Sequence, residues 1–287
     1  MAPVSASQMR AVWSSDAVAM TALAVVSIVL GSATLARNRE YASELSLAES
    51  VLRRWPTDIA HGMMGSALGK LHRDDEAVTE LQLAARTDPR SRYNLGVELY
   101  NMQRFDEAIL ELNTFAGENP MLDVVPSARR ILGDAYTIQR KWLLASNQYR
   151  LALSMIPNDP ATTQKMVTAM NNEGLALAEA GRFDEAVTIF RRAVQWDPQN
   201  WSARHNLAAA LLDVRDAPGA EAEARLAIET NPASAGSHDL LGRALAIQGK
   251  FDEAIVQLRE ALRLSPGDNQ TREDLDRVLI ANRTSRR

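Results

Sequence analysis

The sequence predicts an all-α protein, an α-solenoid of about six helix-turn-helix repeats at 58–268 preceded by one transmembrane helix at 17–36. Three observations carry this. The stretch GRFDEAVTIFRRAVQWDP at 181–198 is nearly copied as GKFDEAIVQLREALRLSP at 249–266 and QRFDEAILELNTFAGENP at 103–120. Pro198, Pro232 and Pro266 stand 34 residues apart, as do Ala186, Ala220 and Ala254, and Gly174, Ala208 and Gly242. A fixed period of this size is what stacked supersecondary units produce. Thirdly, the 20 residues between Asp16 and Arg37, AVAMTALAVVSIVLGSATLA, carry no charge.

In chain order, residues 1–16 form a short polar tail. As a helix, 17–36 spans roughly 30 Å, the thickness of a bilayer core. Its small residues, Gly31, Ser32 and Ala33 among them, are usual in membrane helices. A cleaved signal peptide is the competing reading, with Thr34-Leu35-Ala36 as a weak cleavage site. Against it, the apolar run is long and Arg10 lies far from it. Arg37, Arg39, Arg53 and Arg54 outnumber Arg10, which alone places the C-terminal part in the cytoplasm. Large folded domains translocate largely regardless of charge, so the side stays open.

Residues 37–57 read as a helix ending at Trp55-Pro56, with Leu45, Ala48, Val51 and Leu52 on one stripe. It resembles the second helix of a repeat and caps the N-terminal face. The repeats follow at 58–88, 89–122, 126–159, 167–200, 201–234 and 235–268. Weaker signatures, HRDDEAVTELQLAARTDP at 72–89 and RKWLLASNQYRLALSMIP at 140–157, keep the register. Insertions at 123–125 and 160–166 belong in inter-repeat turns, where added length costs little. Residues 269–283 form a last amphipathic helix with Leu275, Val278 and Leu279 inward and Arg272, Glu273, Asp276 and Arg277 outward. The tail of this 269–287 segment, from Thr284, frays.

Each unit has a small residue at position 8 of its first helix: Gly65, Gly96, Gly133, Gly174, Ala208 or Gly242. A side chain this small lets the second helix cross closely. Leu112, Tyr149, Phe190 and Leu258 fill the gap, each contributing roughly 1.5–3 kcal/mol when buried. Gly181 and Gly249 end first helices in the left-handed conformation. Asp184 and Asp252 open the next helix at its positive dipole end. Pro198, Pro232 and Pro266 then stop the second helix.

These residues resemble the tetratricopeptide repeat family from about 58 to 268, most plainly in NLGVELYNMQRFDEAILEL from Asn94, NEGLALAEAGRFDEAVTIFRRAVQWDP from Asn172 and LLGRALAIQGKFDEAIVQLREALRLSP from Leu240. Lys141–Ala145 lacks the FDEA signature, and Arg215–Gly219 is a degenerate turn. The resemblance implies a right-handed solenoid whose concave groove is lined by first-helix positions near 2, 5, 9, 12 and 13. Here these include Arg90, Tyr93, Val97, Tyr100, Asn101, Arg130, Asp134, Asn171, Leu175, Glu179, His205, Asp213, Asp239 and Arg243. Asn94, Asn172 and Asn206 recur at position 6, where an amide offers an extended peptide backbone both donor and acceptor. Equally, these asparagines cap or bridge neighbouring repeats. The clamp that reads C-terminal carboxylates in some members needs several lysines and arginines, and only Arg90 and Arg130 suggest it.

No catalytic, cofactor or metal constellation stands out. Gly65–Leu71, GSALGKL, is one residue short of a phosphate loop and has Leu71 where Ser or Thr is required. His61, His72, His205 and His238 lack metal-ligand spacing, and pairs such as Glu173 and Glu179 are usual on a charged helix surface. Net charge −4 and pI about 5.7 exclude the global basic field of a nucleic-acid binder. With no cysteine there is no disulfide, thiolate metal site or Cys nucleophile, which leaves the compartment open.

Two functions are expected from this. The first is a non-catalytic, single-pass membrane scaffold that binds a protein or extended peptide through its groove. In the second, the junction from Thr34 to Gly69 resembles multi-pass membrane proteins with C-terminal tetratricopeptide arrays, including candidate protein O-mannosyltransferases. Arg37-Asn38, Tyr41, Ser43, Leu45, Val51, Pro56 and His61 carry that pattern. It implies an extracytoplasmic, periplasmic array that recognises the acceptor protein.

Overall fold

The computed structural model describes residues 43–286 and, ahead of them, only Met20, Val26, Ser27, Val29, Leu30 and Ser32. The expected membrane helix at 17–36 therefore lies mostly outside the described residues, as do 1–16 and 37–42. Among the described residues no helix is long and apolar enough to cross a membrane.

Residues 43–286 form fourteen helices and no strand. They divide into two compact units, one ending at Glu111 and one beginning at Leu112. The first unit holds α1 (Glu44–Arg54), α2 (Asp58–Lys70), α3 (Asp74–Ala84) and α4 (Pro89–Asn101), and the start of α5 (Phe105–Glu118). The second holds the rest of α5, then α6 (Val125–Ile138), α7 (Trp142–Met155), α8 (Pro160–Glu179), α9 (Phe183–Trp196) and α10 (Trp201–Asp213). It continues through α11 (Ala217–Thr230), α12 (Ala235–Ile247) and α13 (Phe251–Leu264) to α14 (Asn269–Ser285). Successive helices pack on each other within each unit. First helices also touch the first helix of the next pair: α2 on α4, α8 on α10, α10 on α12 and α12 on α14.

The packing follows the small-residue rule. A Cβ on Gly65 would lie 2.6 Å from Leu81 Cγ, and one on Gly242 would lie 2.6 Å from Leu258 Cγ. On Gly174 it would come 2.5 Å from the ring of Phe190, and on Gly133 it would run into the ring of Tyr149. Phe190, Tyr149 and Leu258 are buried, as are Ala186, Ala220 and Ala254. In the second unit one continuous core runs from Val187 and Phe190 through Leu207, Leu211, Leu241 and Leu245 to Val278. Val78, Leu81, Leu95 and Leu99 build that of the first.

The second helices end at Trp196, Thr230 and Leu264, each two residues before a repeat proline. Gly181 (φ 73°) and Gly249 (φ 75°) take the left-handed conformation expected of them. The same place in other repeats is held by His72, Gln103, Arg140 and Arg215, with φ between 57° and 64°.

Three expectations are corrected. The insertion at 160–166 is not a turn: it is helical and makes α8 20 residues long. Seven residues are close to two helical turns, so the added length drifts the apolar face by only about 20°. Asp159 caps the new start through Ala161 N at 3.1 Å, and Lys165 reaches Asp134 on α6 at 2.7 Å. Secondly, Asp184 and Asp252 stand in the first turn at the positive dipole end, as expected, but one residue inside the helix start. α9 and α13 start at Phe183 and Phe251, after Arg182 and Lys250 at the N-cap. Beside them Arg182 donates twice to Glu185 at 2.6 Å, a clamp repeated by Arg104 with Glu107 and by Arg73 with Glu76. Thirdly, the C-terminal helix runs on through Thr284 to Ser285, and Arg286 just beyond it pairs with Asp252 at 2.6 Å. Leu275, Val278 and Leu279 face the core as expected, and Ser43 closes α1 with a capping box.

Candidate functional site

The first-helix residues named from the sequence fall into two sets, one per unit. In the first unit, α2 and α4 border two adjoining hollows of about 360 and 410 Å³. Ser66 and Asn94 line both. Asn94 Nδ2 donates to Ser66 Oγ at 3.1 Å, and Ser66 Oγ donates to Gly62 O at 2.8 Å. One half of the Asn94 amide thus bridges neighbouring repeats, and the residue still faces the hollows. Gly62 allows the approach of α4, since a Cβ there would collide with Ser91 Oγ. Val97 and Asn101 line the second hollow. Arg90 is exposed at the start of α4, Tyr93 is half-buried, and neither lines either of these two hollows. Tyr100 is committed to packing, edge-on to Phe105 with ring centroids 5.6 Å apart.

In the second unit, contacts between first helices repeat in a fixed register. His205 Nδ1 lies 3.1 Å from Ser237 Oγ, and Asp239 accepts from Thr271 Oγ1 at 3.1 Å. Both pairs join position 5 of one repeat to the third helical residue of the next, 32 residues on. Arg130 follows a looser version, 3.9 Å from Asp159 and in one narrow cleft with Thr162. Burial pushes the pKa of His205 down and that of Asp239 up. Arg243 lies 3.7 Å from Asp239 and borders an apolar hollow of about 340 Å³ with Ile247, Phe251 and Val278. Asp134 is taken up by Lys165 and by Tyr149 Oη at 2.6 Å. Asn172 and Asn206 are half-buried, while Leu175, Glu179 and Asp213 are exposed.

Asn171 breaks the pattern. It is 9% exposed, and its Oδ1 accepts no hydrogen bond. In the register of the other rungs its opposite residue is Ala203, which has no donor where Ser237 and Thr271 have hydroxyls. Leaving such an acceptor unpaired costs about 1–3 kcal/mol.

Ser66, Ser237 and Thr271 escaped the sequence reading. The signal was there: a hydroxyl at the third residue of α12 and α14, 32 residues after a polar position 5. His61 and His238 are structural, His61 Nδ1 lying 2.6 Å from Glu80 and His238 bonding Gln257 and the Pro232 carbonyl.

Residues 177–244 and 235–268 each match the tetratricopeptide repeat family. DnaJ homolog subfamily C member 3 of Bos taurus is 26% identical over 113 residues, 39% of this chain and 22% of that protein. Protein STIP1 homolog of Dictyostelium discoideum is 28% identical over 109 residues, 38% of this chain and 19% of that protein. The chain thus spans about a fifth of the length of these curated relatives. Among solved structures, that of Naa15/Naa10 bound to HypK-THB matches with a TM-score of 0.62 at 17% identity, covering 85% of this chain and 37% of that one. That likeness is one of fold.

Proposed function

We propose that this chain, which carries tetratricopeptide repeats, is a non-catalytic scaffold that binds an extended segment of a partner protein along its first-helix faces. The supporting observation is Asn171: a buried side-chain carbonyl, at a position the family resemblance assigns to the groove, with Ala203 where neighbouring repeats supply a hydroxyl. The Oδ1 is enclosed, so a turn of the Asn171 side chain toward the groove brings it to a backbone N–H of a bound segment, and an extended peptide presents one at every other residue on each edge.

The test is to supply the missing donor from within. Ala203→Ser is expected to raise stability by about 1 kcal/mol and to weaken partner capture by the full-length chain. Asn171→Ala weakens capture without the gain in stability. If quantitative affinity capture recovers every partner equally with wild type and both variants, Asn171 is not part of a binding surface.

The proposal includes residues 17–36 as a membrane anchor, with the repeats on the periplasmic side that the junction resemblance at 34–69 implies. Its support is the uncharged run itself, and Val26, Val29 and Leu30 each expose more than half of their surface. The alternative, the tail of a multi-pass glycosyltransferase, rests on the junction alone, and the family matches at 177–268 lie outside it.

A further inference from the structure

We propose that the two hollows of the first unit receive one extended partner segment in which an apolar side chain is followed two residues on by lysine or arginine; the inference rests on the scaffold reading above. The hollows meet at Ser66 and Asn94, so a single chain can cross both. An extended strand rises about 3.3 Å per residue and turns alternate side chains to one face. Side chains two positions apart, about 7 Å from each other, therefore enter the adjoining hollows.

The walls select the chemistry. Leu47, Ile59 and Met63 border the first hollow, and Ile59 leaves 69% of its surface in water, so an apolar side chain finds apolar cover there. Around the two hollows stand three carboxylates, Glu44, Asp88 and Glu98, and one ammonium, Lys70. Lys70 Nζ is already 2.5 Å from Glu44 Oε2. Asp88 is held as the cap of α4. Glu98 has no such partner of opposite charge.

Glu98 lies flat against bare helix, since a Cβ on Gly69 would come 2.7 Å from its Oε2. Burial and the neighbouring carboxyl of Asp74 hold its pKa up, His72 offsetting them only in part. A partly desolvated carboxylate beside another carboxylate gains more from an arriving cation than an exposed one does. An acidic segment meets the opposite balance and is repelled.

Three fluorescein-labelled seven-residue peptides with serine at every second position test this by anisotropy against the full-length chain: one with leucine and lysine in turn at the other positions, one with leucine and glutamate, one with glycine and lysine. The leucine–lysine peptide is expected to bind, with affinity falling as salt rises. The other two are expected to bind at least about tenfold more weakly. Glu98→Gln and Met63→Ser each weaken the leucine–lysine peptide about tenfold. Glu98→Gln does so with thermal stability unchanged or higher, which separates lost binding from lost fold.

Equal binding of the leucine–glutamate peptide, or affinity untouched by both substitutions, overturns the inference. So does a dimer in sedimentation that Met63→Arg dissociates, because the hollows then belong to a second copy. If the peptides fail while Ala203→Ser still weakens partner capture, the basic-segment inference alone is rejected. If both fail, the scaffold reading falls with it.

Discussion

Gly174 works through what it lacks: its absent side chain is the space Phe190 occupies, a Cβ coming 2.5 Å from the ring. Gly174→Val is expected to cost about 1–3 kcal/mol by overpacking, read as a shift in urea midpoint at constant slope. The sequence carried this pairing in plain view, because position 8 and its large partner recur at the period. The left-handed turns are a second case. Arg140 holds φ 57° where other repeats have glycine, and an L-residue pays roughly 1–2 kcal/mol there. Arg140→Gly is therefore expected to raise the melting temperature by a few degrees, while Gly181→Ala lowers it. Hydrogen-bond partners were harder to read. Nothing local to Ser237 or Thr271 says that its hydroxyl meets a ring or carboxylate 32 residues earlier. That pairing exists only once successive first helices lie side by side.

α8 shows what an element adds to its residues. A seven-residue insertion looks like loop length by composition, yet the helix absorbs it because seven residues return to nearly the same face. Deleting 161–167 is accordingly expected to leave a folded second unit, at the cost of the Lys165–Asp134 pair. Deleting 161–165 rotates everything upstream by more than a quarter turn relative to Gly174. Far-ultraviolet circular dichroism and melting of the two deletions check this, and equal behaviour would count against it.

The contact between α11, α12 and α13 supplies an electrostatic case. Glu221 accepts from Lys250 at 2.7 Å, Gln248 at 2.8 Å and Arg225 at 2.8 Å. Led by Lys250, these partners lower its pKa from 4.5 to about 2. A depressed carboxylate stabilises the fold above its ordinary pKa and loses that contribution as pH falls from about 4.5 through about 2. Glu221→Gln is expected to cost about 1 kcal/mol near neutral pH and to flatten the acid limb of the stability profile across that window. An unchanged profile would assign acid sensitivity to other groups.

At the scale of the whole molecule, the period alone announces a repeat protein, and the uncharged run at 17–36 is the ground on which a membrane anchor is proposed. Carbonate washing of membranes is expected to leave the intact chain in the pellet, and full release would sink the anchor. Protease protection in spheroplasts reads the side: an array outside the cytoplasm is digested in intact spheroplasts.

By itself the sequence determined, outside the insertion at 160–166, which residues form the repeat helices, where proline and glycine interrupt them, and which side chains interlock inside a repeat. All of these are local or periodic, so spacing along one chain is enough to read them. Tertiary structure decided the rest. It turned Arg182 onto Glu185, drew Arg286 back to Asp252, spent half of the Asn94 amide on Ser66 and left Asn171 without a donor. Whether a polar side chain is satisfied or open depends on the residue facing it from the next helix pair, and that neighbour is a matter of distance in space.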